Sequence, residues 1–457
     1  MDRFPKDFLW GSASSAYQIE GAVMEDGRAA TIWDTFTKVP GNVSNGDSGE
    51  IANDHYHRYV NDIEVMKQIG LKSYRFSFAW TRLFPSGEGA PESRGFAFYD
   101  RLIDSLLGAG IEPLATLYHW DLPQELQNQG GWMNREIVNK FASYAESVAN
   151  HFGDRVKSFS PINEPWVVAW LGHGLGVHAP GIKNRRDAWG VAHHTVLAHA
   201  NAVNAMRGVR SDLKIGPVLN QAQYIPDNPN SSEQLHSADV LDAIQNRFWM
   251  NAFLDGYYPE ILLSEFGHEI TPWVKPGDME SALVKNDFIG INFYFNNRVG
   301  DEVPNQVPVS HIPELFNLKI NESPRGPLTD MGWPLTPNGL RDLLIRWHNE
   351  YGTKLPALYI TENGCAYKDG PDDTGRIYDL DRINYLRTHL SAIAQAISAG
   401  SPVKGYYHWT LMDNFEWSLG YEKRFGIVHV DFETQKRTIK DSGLWYSEII
   451  RSNGNSI

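Results

Sequence analysis

One arrangement of hydrophobic and polar positions recurs along the chain: apolar residues at helical spacing, a glycine, and then a short apolar run. In one copy, Leu102, Ile103 and Leu106 share a helix face, Gly110 follows, and the run IEPLATLYHW comes next. A glycine suits the left-handed position that ends many helices. The same order recurs around Gly70, Gly153, Gly352 and Gly400, with the following runs LKSYRFSFAW, VKSFSPINEP, LPALYITENG and VKGYYHWTLMD. This arrangement predicts alternating helices and strands, with one helix over 55–69.

The apolar runs alternate too little to leave one strand face in water, which predicts strands buried on both faces and joined in a parallel sheet. Further strands are predicted at 7–12, 213–219 and 287–293, and the total is then eight. Eight such units close into an α/β TIM barrel, and we expect residues 1–457 to form a single (β/α)8 catalytic domain. An open doubly wound sheet is the alternative, but GSASSAYQIEG after the first strand is not a dinucleotide-binding loop.

Three long segments lack a periodic pattern and are predicted to be surface loops: 33–53, 296–328 and 366–380. Long loops that follow barrel strands usually build the substrate site. The acidic residues Asp372 and Asp373 in the last segment lack the spacing of a calcium-binding loop, so they are predicted to be solvated.

Composition and charge argue against two classes of binding partner. Lys plus Arg is 41 and Asp plus Glu is 55, so the net charge is −14, which argues against nucleic acid and anionic membranes as partners. The single Cys365 excludes an intramolecular disulfide. With no signal-peptide pattern in MDRFPKDFLWGS, these features predict a cytoplasmic protein, for which a homo-oligomer remains open. Fifteen Trp residues suit the faces of sugars as well as a protein core.

The carboxyl ends of the predicted strands carry chemistry-bearing side chains, and in a TIM barrel these ends meet at one face. Two carboxylates, Glu164 and Glu362, come from strands on opposite sides of the barrel mouth. Around them lie further polar and aromatic residues: Arg75, His119, Trp120, Asn163, Asn292, Tyr294 and Trp409. Paired carboxyl groups surrounded by amides and Trp are typical of glycoside hydrolysis. The HYH and HH pairs at 55–57 and 193–194 lack the spacing of a metal site, so we predict no metal and no cofactor.

Motifs spread over nearly the whole chain resemble family 1 glycoside hydrolases, the family of β-glucosidases. In order, they are FPKDFLWGSASSAYQIEG, YRFSFAWTRLFP, LYHWDLP, INEPW, GINFY, MGWPL, YITENG, WTLMDNFEWSLGYEKRFG and VDFETQKRTIKDSGLWY. Each is weak alone, but their order along the chain is specific. The resemblance implies a retaining enzyme that acts on a small β-glucoside or cello-oligosaccharide.

The resemblance also implies roles for individual residues. Glu362 would be the nucleophile, Glu164 the acid/base, and Arg75 and Tyr294 would support Glu362. Residues implied in binding the terminal sugar are Gln18, His119, Trp120, Asn163, Tyr294, Trp409, Glu416 and Trp417. Trp333 would form the platform for the leaving group, with Asn220 and Trp166 nearby. One position departs from the family: Pro161 replaces the usual Thr in SPINEP, which predicts an interrupted strand ladder beside Glu164.

Several alternatives remain open from sequence. Glu362 precedes an Asn-Gly turn and, taken alone, fits a surface turn residue. A sugar-binding barrel without activity should have lost one of the two glutamates, and both are present. A 6-phospho-β-glycosidase should have Ser and a phosphate pocket where this chain has Glu416 and Trp417, although Lys423 and Arg424 lie close in sequence. The sequence does not establish whether β-galactosides or β-fucosides are also substrates.

Overall fold

A nine-stranded parallel sheet organises the structure, a computed structural model that describes residues 4–301, 311–322 and 324–457. We number the strands of the barrel by position. They are β1 (Leu9–Ala13), β2 (Ser73–Ser77), β3 (Glu112–Tyr118), β4 (Ser158–Ile162), β5 (Lys214–Ile215 and Val218–Asn220), β6 (Phe288–Asn292), β7 (Ala357–Asn363) and β8 (Val403–Trp409). Every residue of β2 and β6 is buried, as expected for strands covered on both faces.

The barrel closes through β5, which is split into two pieces at Gly216 and Pro217. The first piece pairs with β4, and the second pairs with β6. The backbone N–H of Glu164 also donates to the carbonyl of Val218 at 2.9 Å, so both pieces are joined to β4. Gly216 is required here because an added Cβ would lie 2.0 Å from the carbonyl oxygen of Phe288. The predicted eight-position TIM barrel is therefore confirmed.

Helices cover the outside of the barrel. The predicted helix at 55–69 is confirmed as His55–Ile69, and Gly70 ends it with φ of +83°. The other long helices are Ser93–Gly108, Ile137–Phe152, Arg185–Val209, Ser232–Asp242, Phe248–Leu254, Glu260–Ile270, Pro337–Tyr351, Leu380–Ser398 and Asp441–Arg451. Short helices are Ala16–Ile19, Ile32–Phe36, Trp80–Leu83, Gln124–Asn128, Pro165–Val167, Asp278–Ala282 and Ile312–Leu315. Short 3₁₀- or π-helical segments are Ser44–Gly46, Gly131–Met133, Val168–Gly174, Ala243–Arg247, Thr271–Trp273, Gly352–Lys354 and Trp417–Leu419.

Two of the three predicted surface loops contain more structure than expected. Segment 33–53 begins inside helix Ile32–Phe36, and Trp33 is fully buried there. Segment 296–328 supplies two strands of a small sheet, Asn297–Gly300 and Asn321–Glu322, which Tyr224–Pro226 completes. Its residues 302–310 and 323 lie outside the described part. The prediction of plain surface loops was wrong here because tertiary contacts order segments that have no periodicity of their own.

The third predicted loop, 366–380, has neither helix nor strand before Leu380. Asp372 accepts backbone hydrogen bonds from Thr374 and Arg376, so its carboxylate caps a local turn. After β8, the strands Val428–Asp431 and Lys436–Ile439 form an antiparallel hairpin that leads into the last helix. In the three described stretches of the chain, no helix has the length and apolar character needed to cross a membrane.

Candidate active site

A cavity of about 410 Å³ opens at the carboxyl ends of the barrel strands. Most of the side chains predicted from sequence line it, namely His119, Trp120, Glu164, Trp166, Asn220, Tyr294, Trp333, Glu362, Trp409, Glu416 and Trp417. Arg75, Asn163 and Gln18 are buried outside this lining set. Apart from Asn220, the predicted lining residues come from six of the motifs, which a barrel brings together because its strands end at the same face.

Glu362 lies near the end of β7 and is almost fully buried. Its Oε1 accepts a hydrogen bond from Arg75 Nη1 at 2.6 Å, and its Oε2 accepts one from the Tyr294 hydroxyl at 2.7 Å. Burial raises the pKa of Glu362, whereas the Arg75 cation and the two hydrogen bonds oppose that rise. These contacts favour the ionised form and fix both carboxylate oxygens in place.

Glu164 follows β4 and has a different environment. Its backbone adopts the left-handed region with φ of +46°, which turns the chain from the strand into helix Pro165–Val167. Its Oε1 accepts a hydrogen bond from Asn292 Nδ2 at 2.5 Å. Burial and the nearby charge of Glu362 raise the pKa of Glu164 well above its ordinary value. Glu164 is therefore suited to carry a proton at neutral pH.

An amide network joins the two carboxyl groups. Asn163 Oδ1 accepts from Arg75 Nη2 at 2.6 Å and from Asn292 Nδ2 at 3.2 Å. Arg75 binds Glu362 and Asn292 binds Glu164, so one continuous set of hydrogen bonds runs between the two carboxyls. Asn163 Nδ2 lies 3.2 Å from His119 Nε2, which can accept because burial and Arg75 lower the pKa of His119 and keep it neutral.

Pro161 falls in a gap of the strand ladder, as predicted. The register of β4 with β3 includes Ser158, Phe159, Ser160 and Ile162 but omits Pro161. Pairing resumes directly afterwards, where the Asn163 N–H donates to the Tyr118 carbonyl at 2.9 Å. The position without an N–H, Pro161, thus lies beside the split in β5. The backbone of Asn163 is still hydrogen-bonded to β3, and that of Glu164 to β5.

Glu416 places a third carboxyl in the cavity. Burial and the charge of Glu362 raise the pKa of Glu416 to about 8. Within the described chain, its Oε2 is buried without a hydrogen-bond partner. An acid in this state can donate to or accept from a ligand hydroxyl. The side chain of Gln18, in contrast, is already hydrogen-bonded to Phe415 O at 2.8 Å and to Ser15 Oγ at 2.7 Å.

Aromatic rings form much of the remaining wall. The His119 ring is nearly parallel to those of Trp409 and Trp417, with centroids at 5.9 and 6.0 Å. On the other side, Trp333 packs against Tyr294 at 5.2 Å. Flat rings around a polar floor suit a sugar, which has apolar ring faces and hydroxyl edges.

Sequence reasoning missed several lining residues. They are His178, Tyr224, Gln245, Phe295 and Phe425, among others. The Tyr224 hydroxyl donates to Gln245 Oε1 at 2.5 Å, although these residues lie on a short strand and a helical turn far from the quoted motifs. Of these five, only Phe425 lies in one of the motifs, WTLMDNFEWSLGYEKRFG. A three-residue strand and a five-residue helical turn are too short to give a periodic signal that could have found Tyr224 and Gln245.

Histidine pairs considered from sequence have structural partners. His55 lies 2.7 Å from Asp62, and His193 contacts Tyr258 at 2.7 Å and Asp278 at 2.8 Å. In the described ranges, no group of three His, Cys, Asp or Glu side chains is placed to hold a metal ion. Burial raises the pKa of Cys365 to about 12, so its thiol is a poor nucleophile.

Comparison with known proteins agrees with this geometry. A family model described as glycosyl hydrolase family 1 matches residues 1–455. The chain is 44% identical to β-glucosidase A of Thermotoga maritima over 99% of this chain and 98% of that one. It is also 44% identical to the 1,4-β-D-glucan glucohydrolase of Thermotoga neapolitana, over 99% of both chains.

Two solved structures that are similar to this chain are also β-glucosidases. A β-glucosidase from Thermotoga maritima in complex with glucoimidazole superposes with a TM-score of 0.92 at 43% identity, covering 99% of both chains. A psychrophilic β-glucosidase from Micrococcus antarcticus gives 0.95 at 42% identity, covering 99% of this chain and 98% of that one. With its barrel, its paired carboxyl groups and this similarity along its whole length, the chain belongs to glycosyl hydrolase family 1.

Proposed function

We propose that the protein is a retaining β-glucosidase that releases terminal β-D-glucosyl units from cellobiose, short cello-oligosaccharides and aryl β-glucosides. The observation that carries the proposal is the pair of buried carboxyl groups with unequal surroundings. Glu362 is bound by a cation, and Glu164 is bound by a neutral amide beside that negative charge. One group is therefore suited to attack as an anion and the other to donate a proton.

The two-step reaction follows from these states. Glu362 attacks the anomeric carbon and forms an ester bond while the glycosidic C–O bond breaks, and Glu164 gives its proton to the departing oxygen. The Arg75 and Tyr294 contacts keep Glu362 oriented for attack. Esterification removes the charge of Glu362, so Glu164 becomes more acidic. Glu164 then takes a proton from water, which attacks the anomeric carbon and frees Glu362.

The names of the relatives support the substrate class. Among them are a β-glucosidase A, a 1,4-β-D-glucan glucohydrolase and a β-glucosidase bound to glucoimidazole. We further propose that residues 1–457 act as one catalytic domain, in keeping with a family model that spans 1–455. We also propose a role in cellulose breakdown. The cytoplasmic location stays a prediction, and the oligomeric state stays open.

The sugar preference is tested by a panel of substrates. We expect aryl β-glucosides and cellobiose to have the highest kcat/KM, with aryl β-fucosides and β-galactosides also turned over. A relative at 40% identity is described as a bifunctional β-D-glucosidase/β-D-fucosidase, so a second sugar fits the same scaffold. The α-glucoside of the same aryl group is the control. Turnover of that α-glucoside in preference to every β-glycoside would contradict the proposal.

A phosphorylated glucoside is expected to be a poor substrate. Four carboxyl side chains line the described cavity wall (Glu164, Glu322, Glu362 and Glu416), and no Lys or Arg is among the described lining residues. Arg424 binds Asp413 at 2.9 Å and Lys423 binds the Asp330 carbonyl at 2.9 Å, so both cations considered from sequence have contacts elsewhere. A phosphate dianion would then lie near the ionised Glu362 with no described lining cation to offset its charge, which should lower kcat/KM by about 100-fold or more.

The measurement compares an aryl β-glucoside with its 6-phosphate on wild type and on Glu416→Ser. The variant should narrow the difference because Ser is smaller than Glu416, leaves no carboxyl that can ionise beside the phosphate, and has a hydroxyl that can donate to it. Equal or faster turnover of the phosphate by wild type would establish the 6-phospho-β-glycosidase alternative instead.

The pKa of Glu164 should depend on Glu362. Because the negative charge of Glu362 helps to raise it, Glu362→Gln should lower the pKa of Glu164. Glu416 raises it less, so Glu416→Gln is the matched control and should lower it by a smaller amount. Carbon-13 NMR titration of labelled glutamate carboxyls measures this directly. In wild type, kcat/KM should fall as pH rises through the raised pKa of Glu164, since the proton donor is then lost. A Glu164 pKa that is unchanged in Glu362→Gln would show that the charge of Glu362 does not raise it, and would contradict this prediction.

A further inference from the structure

A cluster of buried charges lies behind the cavity and plays no part in the proposed chemistry. It contains three carboxylates and three cations: Asp369, Asp379, Asp413, Arg382, Arg424 and Lys440. We call it the clasp. Its charges balance, and every member except Arg424 is almost fully buried. Burying these charged groups costs desolvation free energy. The role of the clasp is therefore indicated by the segments of the chain that its members hold in place.

Asp413 closes the base of one loop, residues 413–426, which follows β8. Its Oδ1 accepts from the Gly426 backbone N–H at 2.9 Å, and its Oδ2 accepts from Arg424 Nη1 at 2.9 Å. Arg382 Nη2 donates to the carbonyl of Arg424 at 2.7 Å. Both ends of the loop are therefore tied to the clasp.

The loop carries several groups that reach the cavity. Glu416, Trp417 and Phe425 line it, and Phe425 packs 6.2 Å from Tyr294, the residue that binds Glu362. The side chain of Glu416 has no partner at Oε2 within the described chain, so the loop backbone has to set its position. Placement of this carboxyl depends on the ties at the base of the loop.

Lys440 is the central cation of the clasp. Its Nζ donates to Asp413 Oδ1 and to Asp369 Oδ2, each at 2.9 Å, and its side chain is fully buried. It comes from the segment between the last hairpin and the last helix, in the motif VDFETQKRTIKDSGLWY. Without Lys440, Asp413 would share a buried site with Asp369 and keep only Arg424 of the two cations that bind it at 2.9 Å.

We propose that Lys440, acting through Asp413, is a positioning residue that sets loop 413–426 so that Glu416 meets the terminal sugar. Lys440 lines no part of the described cavity and does not touch the reacting atoms. This inference rests on the proposed glucosidase function.

A double-mutant cycle tests the proposal. Lys440→Met keeps a similar length and removes the charge, and Glu416→Gln removes the carboxyl that the loop is proposed to place. We expect Lys440→Met alone to lower kcat/KM for an aryl β-glucoside by about tenfold or more. In the Glu416→Gln background, the same change should lower it less than about threefold, because the misplaced group is already absent. Lys423→Met is the matched control, since Lys423 is on the same loop but contacts Asp330 rather than Asp413.

Equal losses from Lys440→Met in both backgrounds would overturn the proposal, because a purely structural role gives additive effects. If Lys440→Met does not fold, Arg424→Met carries the cycle, since its side chain is partly exposed and Lys440 still binds Asp413. Additive effects in that cycle would equally overturn it. Failure of the proposed function would give a different result, because wild type and Lys423→Met would then both leave the aryl β-glucoside intact.

Discussion

Replacing Glu362 by alanine is expected to lower kcat for every β-glucoside by about 10⁴-fold or more, which is the scale of losing a covalent nucleophile. The loss should not depend on the leaving group, since the attack by Glu362 is part of the first step whichever group departs. Arg75 would then lose its buried partner at 2.6 Å, and the Tyr294 hydroxyl would lose its acceptor at 2.7 Å. Steady-state rates on a good and a poor aryl leaving group measure this.

Glu233→Ala is the control for this experiment, because Glu233 is exposed in the first turn of helix Ser232–Asp242, which lies outside the cavity lining. Its rates should equal those of wild type. Turnover by Glu362→Ala within about tenfold of wild type would exclude Glu362 as the nucleophile.

The second large effect is expected for Glu164→Ala, and it should depend strongly on the leaving group. General acid catalysis contributes about 10²- to 10⁴-fold, so alkyl glucosides and cellobiose should lose activity on that scale. A dinitrophenyl glucoside needs no proton on its leaving oxygen, so its first step should remain fast. Azide needs no general base, so added azide should restore turnover by attacking the glycosyl ester.

The sugar product formed with azide identifies the reaction step that each variant has lost. A β-glucosyl azide from Glu164→Ala is expected, and Glu362→Ala should not give it. A defect in Glu164→Ala that is the same for dinitrophenyl and alkyl glucosides would contradict the acid/base role.

Much of the fold could be predicted because its signals are local and repeated. The glycine after each amphipathic helix and the doubly buried strands depend on residues close in sequence, and helix His55–Ile69 was predicted with its correct bounds. The split in β5 was not predicted. It depends on how closely Gly216 approaches Phe288, and this contact exists only in the closed barrel.

The candidate site was predictable where its residues follow strands. Glu164 and Glu362 were placed in one site because the carboxyl ends of barrel strands must meet. Gln245 and Tyr224 were missed, since the helical turn Ala243–Arg247 and the strand Tyr224–Pro226 are too short to show a pattern in the sequence. The raised pKa of Glu416, about 8, was also beyond sequence reasoning, because it results from burial and from the charge of Glu362.

Covalent labelling with a 2-deoxy-2-fluoro β-glucoside that carries a dinitrophenyl leaving group tests the central claim most directly. The fluorine slows both steps, and the activated leaving group keeps the first step faster than the second, so the glycosyl ester accumulates. Peptide mass spectrometry should find the fluoroglucosyl mass on the peptide that contains Glu362, with time-dependent loss of activity. An adduct on another residue, or inactivation without any adduct, would contradict the account.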